Sequence, residues 1–275
     1  MFNNFQVVAY ALKNTLDFQY GISAWICSFI KGMNRQGISS TKIVPLRGTD
    51  PMKCDLAVLW GVRDIPIINF CRDNNIPFIC IERGFIPNRS KWSMAGYNGL
   101  NGLANFCNEN SPSDRWEKYF TGMMQHWNLK GQYVLLLGQV QGDSALYGLD
   151  VENWVNTCKK FFVDNKIPFM YRPHPGEVLV KMDIPPGLYE AIDNAFCVVT
   201  YNSSAGVQSI LRGKPTISMH PGSMVWNITE HTLNDCLNQH MPDRTQWRYS
   251  LAYSQWTVEE FLHGDAWEHL KQFFK

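Results

Sequence analysis

Short apolar runs alternate with longer segments of helical spacing along nearly the whole chain. In the first half, Phe5 to Ala9, Ile43 to Leu46, Leu56 to Trp60 and Pro77 to Ile81 read as strands. In the second, Tyr133 to Leu137, Phe169 to Arg172, Phe196 to Thr200 and Thr216 to Met219 do the same. Between them, Gly21 to Met33, Ile65 to Asn74, Val151 to Asp164, Leu188 to Asn194 and Ser204 to Arg212 read as helices. In the first of these, Ile22, Trp25, Ile26, Phe29 and Ile30 fall on one face. Strands that alternate with helices predict a doubly wound α/β protein, because each parallel pair needs a crossover.

The pattern restarts after a boundary near Met123 to Gly131. It predicts a Rossmann-like domain over 1–127, a second over 128–256, and a closing helix over 257–275. That helix carries Val258, Phe261, Leu262, Trp267, Leu270, Phe273 and Phe274 on an apolar stripe. The polar, Gly/Asn-rich stretch from Arg83 to Asn110 is expected to be a long loop, functional or mobile. Two Rossmann-like halves are expected to face one another across a cleft, with ligands at the strand carboxyl ends.

Charge narrows the function classes. Lys and Arg number 25 against 24 Asp and Glu, a net charge of +1. This argues against a strongly basic nucleic-acid coat protein but leaves room for a local basic face. The 8 cysteines form no C-x-x-C pair, so reduced, buried thiols are expected rather than a zinc site. Met1-Phe2-Asn3-Asn4 lacks the basic start of a signal peptide, and no apolar run is long enough to span a bilayer. A cytoplasmic location without stable membrane insertion is the expectation. On it, the sequons at Asn88, Asn202 and Asn227 are chance matches.

Chemistry-bearing residues gather at the predicted strand ends. Glu82-Arg83-Gly84-Phe85 follows one strand, and Gly138-Gln139-Val140-Gln141-Gly142-Asp143-Ser144 another. Tyr171-Arg172-Pro173-His174-Pro175 ends a third, and Ser203-Ser204-Ala205-Gly206 follows a fourth. A small-residue turn opening a helix points backbone N–H groups at an anion and favours phosphate. A histidine beside it adds hydrogen bonds or charge to a departing phosphate. Each group also has a plainer reading. Glu82 suits a helix N-cap or a surface carboxylate, Asp143 a turn former, and Ser203 and Ser204 an N-cap. Trp92, Tyr97, Trp116 and Trp127 suit either stacking on a base or sugar, or the core. His263 and His269 are expected at the surface.

Taken in order, the four groups resemble the bacterial capsule Kdo-transferase superfamily of GT-B glycosyltransferases. That family carries E-D-G-F-x-R-S, G-Q-V-x-D-D-x-S, K-P-H-P and T-x-x-S-x-x-G-x-E-A-L-x-x-G-K elements. The resemblance covers the chain from about Phe78 to Thr229. It implies an acceptor-side first domain and a donor-side second one. It implies catalytic roles for Glu82 and Asp143, with retention of configuration and Asp143 as covalent partner. Donor binding falls to Gln139, Ser144, Arg172, His174, Pro175, Ser203, Ser204 and Gly206. The donor is a UDP- or CMP-sugar and no metal or other cofactor is obligatory, since no D-x-D sits at a strand end.

The sequence departs from the family at three places. Arg83 stands where the family has an acid, Gly142 where it often has a second aspartate, and Arg172 where it has lysine. The segment His220 to Asn227 only loosely echoes the family's P-F-Y-x-G-W-G. Arg83, Arg89, Lys91 and Trp92 are the candidate acceptor residues, since cations beside an aromatic suit a phosphate-rich polymer or a pyranose. The compact length also resembles phage-encoded stand-alone members associated with glycosylating hydroxymethylated pyrimidines in DNA. That implies DNA as acceptor polymer. A cell-surface polysaccharide and a non-catalytic binding module are the alternatives.

Overall fold

The computed structural model describes residues 4–11, 22–86, 91–175 and 187–275. The chain divides into two units, one of 1–111 with 250–275 and one of 112–249. The division therefore lies at Ser111/Pro112 and not at 127/128. The last 26 residues are no separate closing element: they return to the first unit.

The first unit is built on β1 (Gln6–Ala11), β2 (Ser40–Pro45), β3 (Leu56–Trp60), β4 (Phe78–Arg83), β5 (Ser93–Tyr97) and β10 (Gln255–Trp256). Their order is β10-β5-β4-β3-β1-β2, parallel from β4 to β2 and antiparallel at β5 and β10. The apolar run Leu-Ala-Val-Leu of β3 is buried throughout, as a central parallel strand requires. α1 (Ile22–Arg35) places Ile26, Phe29, Ile30 and Met33 in the core against that sheet. α2 (Ile65–Asp73) is capped by Asp64, whose Oδ1 accepts from the Ile67 N–H at 3.3 Å.

Two expectations fail here. The supposed loop from Arg83 to Asn110 contains a strand: β5 is buried throughout and pairs residue by residue with β4. The closing helix is broken in two, α8 (Val258–His263) and α9 (Asp265–Leu270), by Gly264 at φ +91. At that joint the Gly264 N–H donates to the Glu260 and Phe261 carbonyls, which ends α8 in the left-handed manner. Thr257 and Glu260 close a reciprocal capping box at its start. α8 lies close against α1, because a Cβ on Gly32 would fall 1.9 Å from the Phe261 carbonyl oxygen.

The second unit has one parallel sheet of β6 (Tyr133–Leu137), β7 (Phe169–Arg172), β8 (Ala195–Thr200) and β9 (Thr216–Ser218). The order is β7-β6-β8-β9. α4 (Val151–Asp164) covers one face with Val151, Trp154, Val155, Cys158 and Phe162. α5 (Leu188–Asp193) and its neighbours form a second cluster with Leu135, Leu137 and Val198. Strands β6 and β8 are adjacent, yet the chain leaves them toward opposite edges. The loops after β6 and β8 must therefore diverge, opening the crevice where doubly wound sheets take ligands.

Candidate functional site

The crevice between β6 and β8 is stitched by one amide pair. Gln139 Nε2 donates to Asn202 Oδ1 at 2.8 Å, and the Asn202 N–H returns a bond to Gln139 Oε1 at 3.0 Å. Asn202 Nδ2 also donates to the Ala145 carbonyl. Both side chains are buried, so the pair sets the spacing of the two loops rather than meeting ligand directly. Gln139 thus braces the loops after β6 and β8.

Asp143 sits at the exposed tip of the β6 loop. Its Oδ1 accepts from the Ala145 N–H at 2.9 Å, capping the short 3-10 turn Ser144–Leu146. The turn-former reading of Asp143 is realised, and it leaves the second carboxylate oxygen outside that bond. Gly142, before it, is at φ +81. An aspartate there, as the family often has, would be forced into the left-handed region. The loop is closed by Gln141, whose side chain donates to Leu149 O and accepts from the Val151 N–H.

The end of β7 lies against the same loop. The Gly138 N–H donates to Arg172 O at 2.9 Å, and a Cβ on Gly138 would fall 2.7 Å from the Tyr171 hydroxyl. Arg172 is half-buried, and burial pulls its guanidinium below the usual arginine range. His174 and Pro175 follow it, both exposed.

The turn after β8 differs from a free phosphate cradle. The Ser203 N–H donates to Thr200 Oγ1, the Ala205 N–H to Ser203 Oγ, and the Gly206 N–H to Ser203 O. With Asn202 held by Gln139, the Ser204 N–H is the one amide between Asn202 and Gly206 without a partner among the described residues. Ser204 stands at the N-cap of α6 (Ala205–Leu211) but makes no side-chain cap bond. Gly206 is buried: a Cβ would meet Val225 Cγ2 at 3.3 Å and Thr200 Cγ2 at 3.4 Å. Its smallness serves helix-to-strand packing. Ser203 and Ser204 remain half-exposed donors.

Sequence reasoning passed over His220, at the end of β9. Its ring stacks with those of Tyr147 and Tyr201, at centroid distances of 5.3 and 4.9 Å. The available signals were the His-Pro-Gly turn after a predicted strand and the loose family echo in His220 to Asn227, neither of which singled out the histidine.

In the first unit, Glu82 stands near the carboxyl end of β4. The next residue, Arg83, is still strand, so Glu82 is not an N-cap. Its Oε1 accepts from the Arg83 N–H at 2.9 Å. A Cβ on Gly61, which follows β3, would come 3.3 Å from Oε2. Arg83 and Lys91 are exposed. Trp92 is not an acceptor platform: it is 4% exposed and packs against Gly84. Tyr97 and Trp116 are core as well. His269, expected at the surface, is half-buried with Nε2 2.9 Å from Phe106 O. Arg89 lies outside the described residues.

Elsewhere in the second unit, a groove of about 420 Å³ is lined by Gln125, Trp127, Asp243, Arg244 and Arg248 among others, and by none of the predicted site residues. Among the described residues, no group of three or more His, Cys, Asp or Glu is placed to hold a metal ion. Among them too, no helix is long and apolar enough to cross a membrane.

No protein-family model matches this sequence, and no curated protein matches it. Solved structures do match. A beta Kdo 2,7 transferase, KpsC of Thermosulfurimonas dismutans, aligns with a TM-score of 0.52 at 14% identity, over 98% of this chain and 99% of that one. A beta Kdo 2,4 transferase, also KpsC of Thermosulfurimonas dismutans, aligns with a TM-score of 0.55 at 13% identity, over 92% of each chain. With one mixed and one parallel sheet, this likeness shows a two-domain, Rossmann-like GT-B fold.

Proposed function

We propose that this protein is a glycosyltransferase that moves a sugar from a nucleotide-sugar donor to a hydroxyl acceptor. One observation carries the proposal. Three adjacent parallel strands, β6, β7 and β8, are followed or ended by Gln139, Asp143, Ser144, Arg172, His174, Ser203 and Ser204, in a fold that matches sugar transferases. Nucleotides bind doubly wound sheets in the crevice at such strand ends.

The chemistry divides among these groups. Arg172, His174 and the serine hydroxyls stabilise the departing nucleotide phosphate, which takes the electrons of the broken bond to the sugar. Asp143 attacks the anomeric carbon, giving a covalent glycosyl ester. The acceptor oxygen then displaces Asp143 while Glu82 takes the acceptor proton, so configuration is retained over two displacements. No metal is required.

The acceptor we propose is a hydroxymethylated pyrimidine base in DNA, with exposed Arg83 and Lys91 meeting phosphates. A flipped or unpaired base is needed for its hydroxyl to reach the reacting carbon. The support is the sequence resemblance to stand-alone phage-encoded transferases. The fold likeness to Kdo transferases supports a glycan acceptor, and both go into one experiment. The protein is incubated with a panel of UDP- and CMP-sugars, against hydroxymethylcytosine DNA and against glycan acceptors, with and without EDTA. Mass spectrometry of digested nucleosides and of the glycans reads the outcome. A sugar-sized gain on the nucleoside is expected. A gain on glycan alone replaces the acceptor; no gain on anything, with nucleotide binding intact, leaves a binding module. Activity lost in EDTA and restored by Mg²⁺ or Mn²⁺ overturns metal independence.

A further inference from the structure

His220 is reached by both loops of the crevice. Tyr147, from the β6 loop, stacks on it at 21° between planes, and Tyr201, from the β8 loop, at 26°. Gly222 fixes the tautomer. Its N–H donates to His220 Nδ1 at 2.9 Å, so Nδ1 is the bare nitrogen and Nε2 carries the proton. A Cβ on Gly222 would fall 2.9 Å from Nδ1 and 3.3 Å from Asn202 Nδ2, so the imidazole stands beside the bracing pair. Burial lowers the tendency of the ring to take a second proton. Nε2 has no hydrogen bond among the described residues. A clamped neutral imidazole with one N–H left over is an oriented donor that costs little to order on binding.

We propose that His220 is a donor-binding residue whose Nε2–H bonds a phosphate oxygen of the nucleotide sugar. This rests on the donor assignment above. The proton stays on Nε2 and nothing is transferred. A bond from a neutral N–H to an anionic oxygen is charge-assisted. The three-ring stack prevents the imidazole from swinging away.

The test uses the full chain, His220→Phe, His220→Gln and His220→Asn, titrated calorimetrically with CMP and UDP and with cytidine and uridine. Phenylalanine keeps the stack and removes the N–H. It is expected to weaken nucleotide binding by about 10- to 100-fold, the loss of one hydrogen bond to a charged group, with nucleoside binding unchanged. Glutamine places its amide nitrogen near the Nε2 position and recovers part of the loss; asparagine, whose amide falls nearer Nδ1, does not. Equal nucleotide affinity for wild type and His220→Phe overturns the assignment, as does equal loss for nucleosides. Should His220→Phe not fold, the glutamine–asparagine contrast decides: equal affinities overturn it. A wild type that binds neither nucleotide, and no nucleotide sugar of the panel, overturns the donor assignment and this one with it.

Discussion

Replacing Gln139 by leucine tests whether the amide pair holds the crevice together. Leucine is close to glutamine in volume, so the cavity term is small. The loss is electrostatic. Asn202, 3% exposed, keeps its bond to Ala145 but is left with a backbone N–H and an Oδ1 that no longer meet Gln139. Each orphaned buried group costs about 1–3 kcal/mol. Partial relaxation toward water brings the expected loss to about 2–4 kcal/mol. Urea denaturation followed by circular dichroism gives the number, provided the slope is unchanged between variants. Asn202→Ala and the double variant complete the cycle. Removing both partners is expected to cost less than the sum by about 1–2 kcal/mol. A Gln139→Leu protein within about 0.5 kcal/mol of wild type, or a cycle with no coupling, refutes the brace.

Three further outcomes are expected. Asp143→Asn and Glu82→Gln each lower transfer by about 10²- to 10⁴-fold while the denaturation midpoint stays put, since the asparagine keeps an acceptor for the Ala145 N–H; unaltered turnover removes the residue from the chemistry. Gly32→Ala drives a methyl against the Phe261 carbonyl, 1.9 Å from its ideal position, and forces α1 off α8; a loss of about 3 kcal/mol or more is expected by thermal melting, and a neutral result contradicts that packing. Burial pushes the Cys27, Cys54 and Cys71 thiols up to about 11 and Cys158 up to about 12. An unfolded thiol ionises near about 8.5, so the unfolded chain releases protons that the folded chain keeps. Their contribution is complete below about pH 8.5 and falls through about pH 11; a urea midpoint under reductant that rises from pH 8 to pH 10.5 contradicts this.

The eight strands read from sequence all exist, and the clearest are the central parallel ones, β3, β6 and β8, whose apolar runs are buried nearly throughout. The two that were missed lack that mark. Ser-Met-Ala-Gly-Tyr of β5 has no β-branched residue, and it is a strand because β4 offers it an antiparallel edge. Its Gly96 packs under Phe106, a contact no local pattern announces. The two-residue β10 exists only by pairing with β5. Gly264 was legible as a helix stop, with Gly followed by Asp, but the apolar stripe runs past it and periodicity alone reads through. The return of 250–275 to the first unit is a long-range fact of packing, which a boundary drawn from strand pattern does not contain.

The strand-end residues show where such reading stops short of chemistry. Residue type at a strand end predicts position well: Asp143, Arg172, His174, Ser203 and Ser204 all lie beyond the carboxyl ends of one parallel sheet or at its last residue. It does not say which donors are already spent. In the turn after β8, Thr200, Ser203 and Gln139 consume four of the five N–H groups between Asn202 and Gly206. A phosphate held there must rely on side-chain hydroxyls, the Ser204 N–H and whatever neighbouring strands present. That deficit gives the end of β9 its interest. His220 is clamped by rings from both flanking loops, with Nδ1 satisfied and the proton fixed on Nε2. It supplies the kind of oriented donor that the serine turn has given up to its own folding.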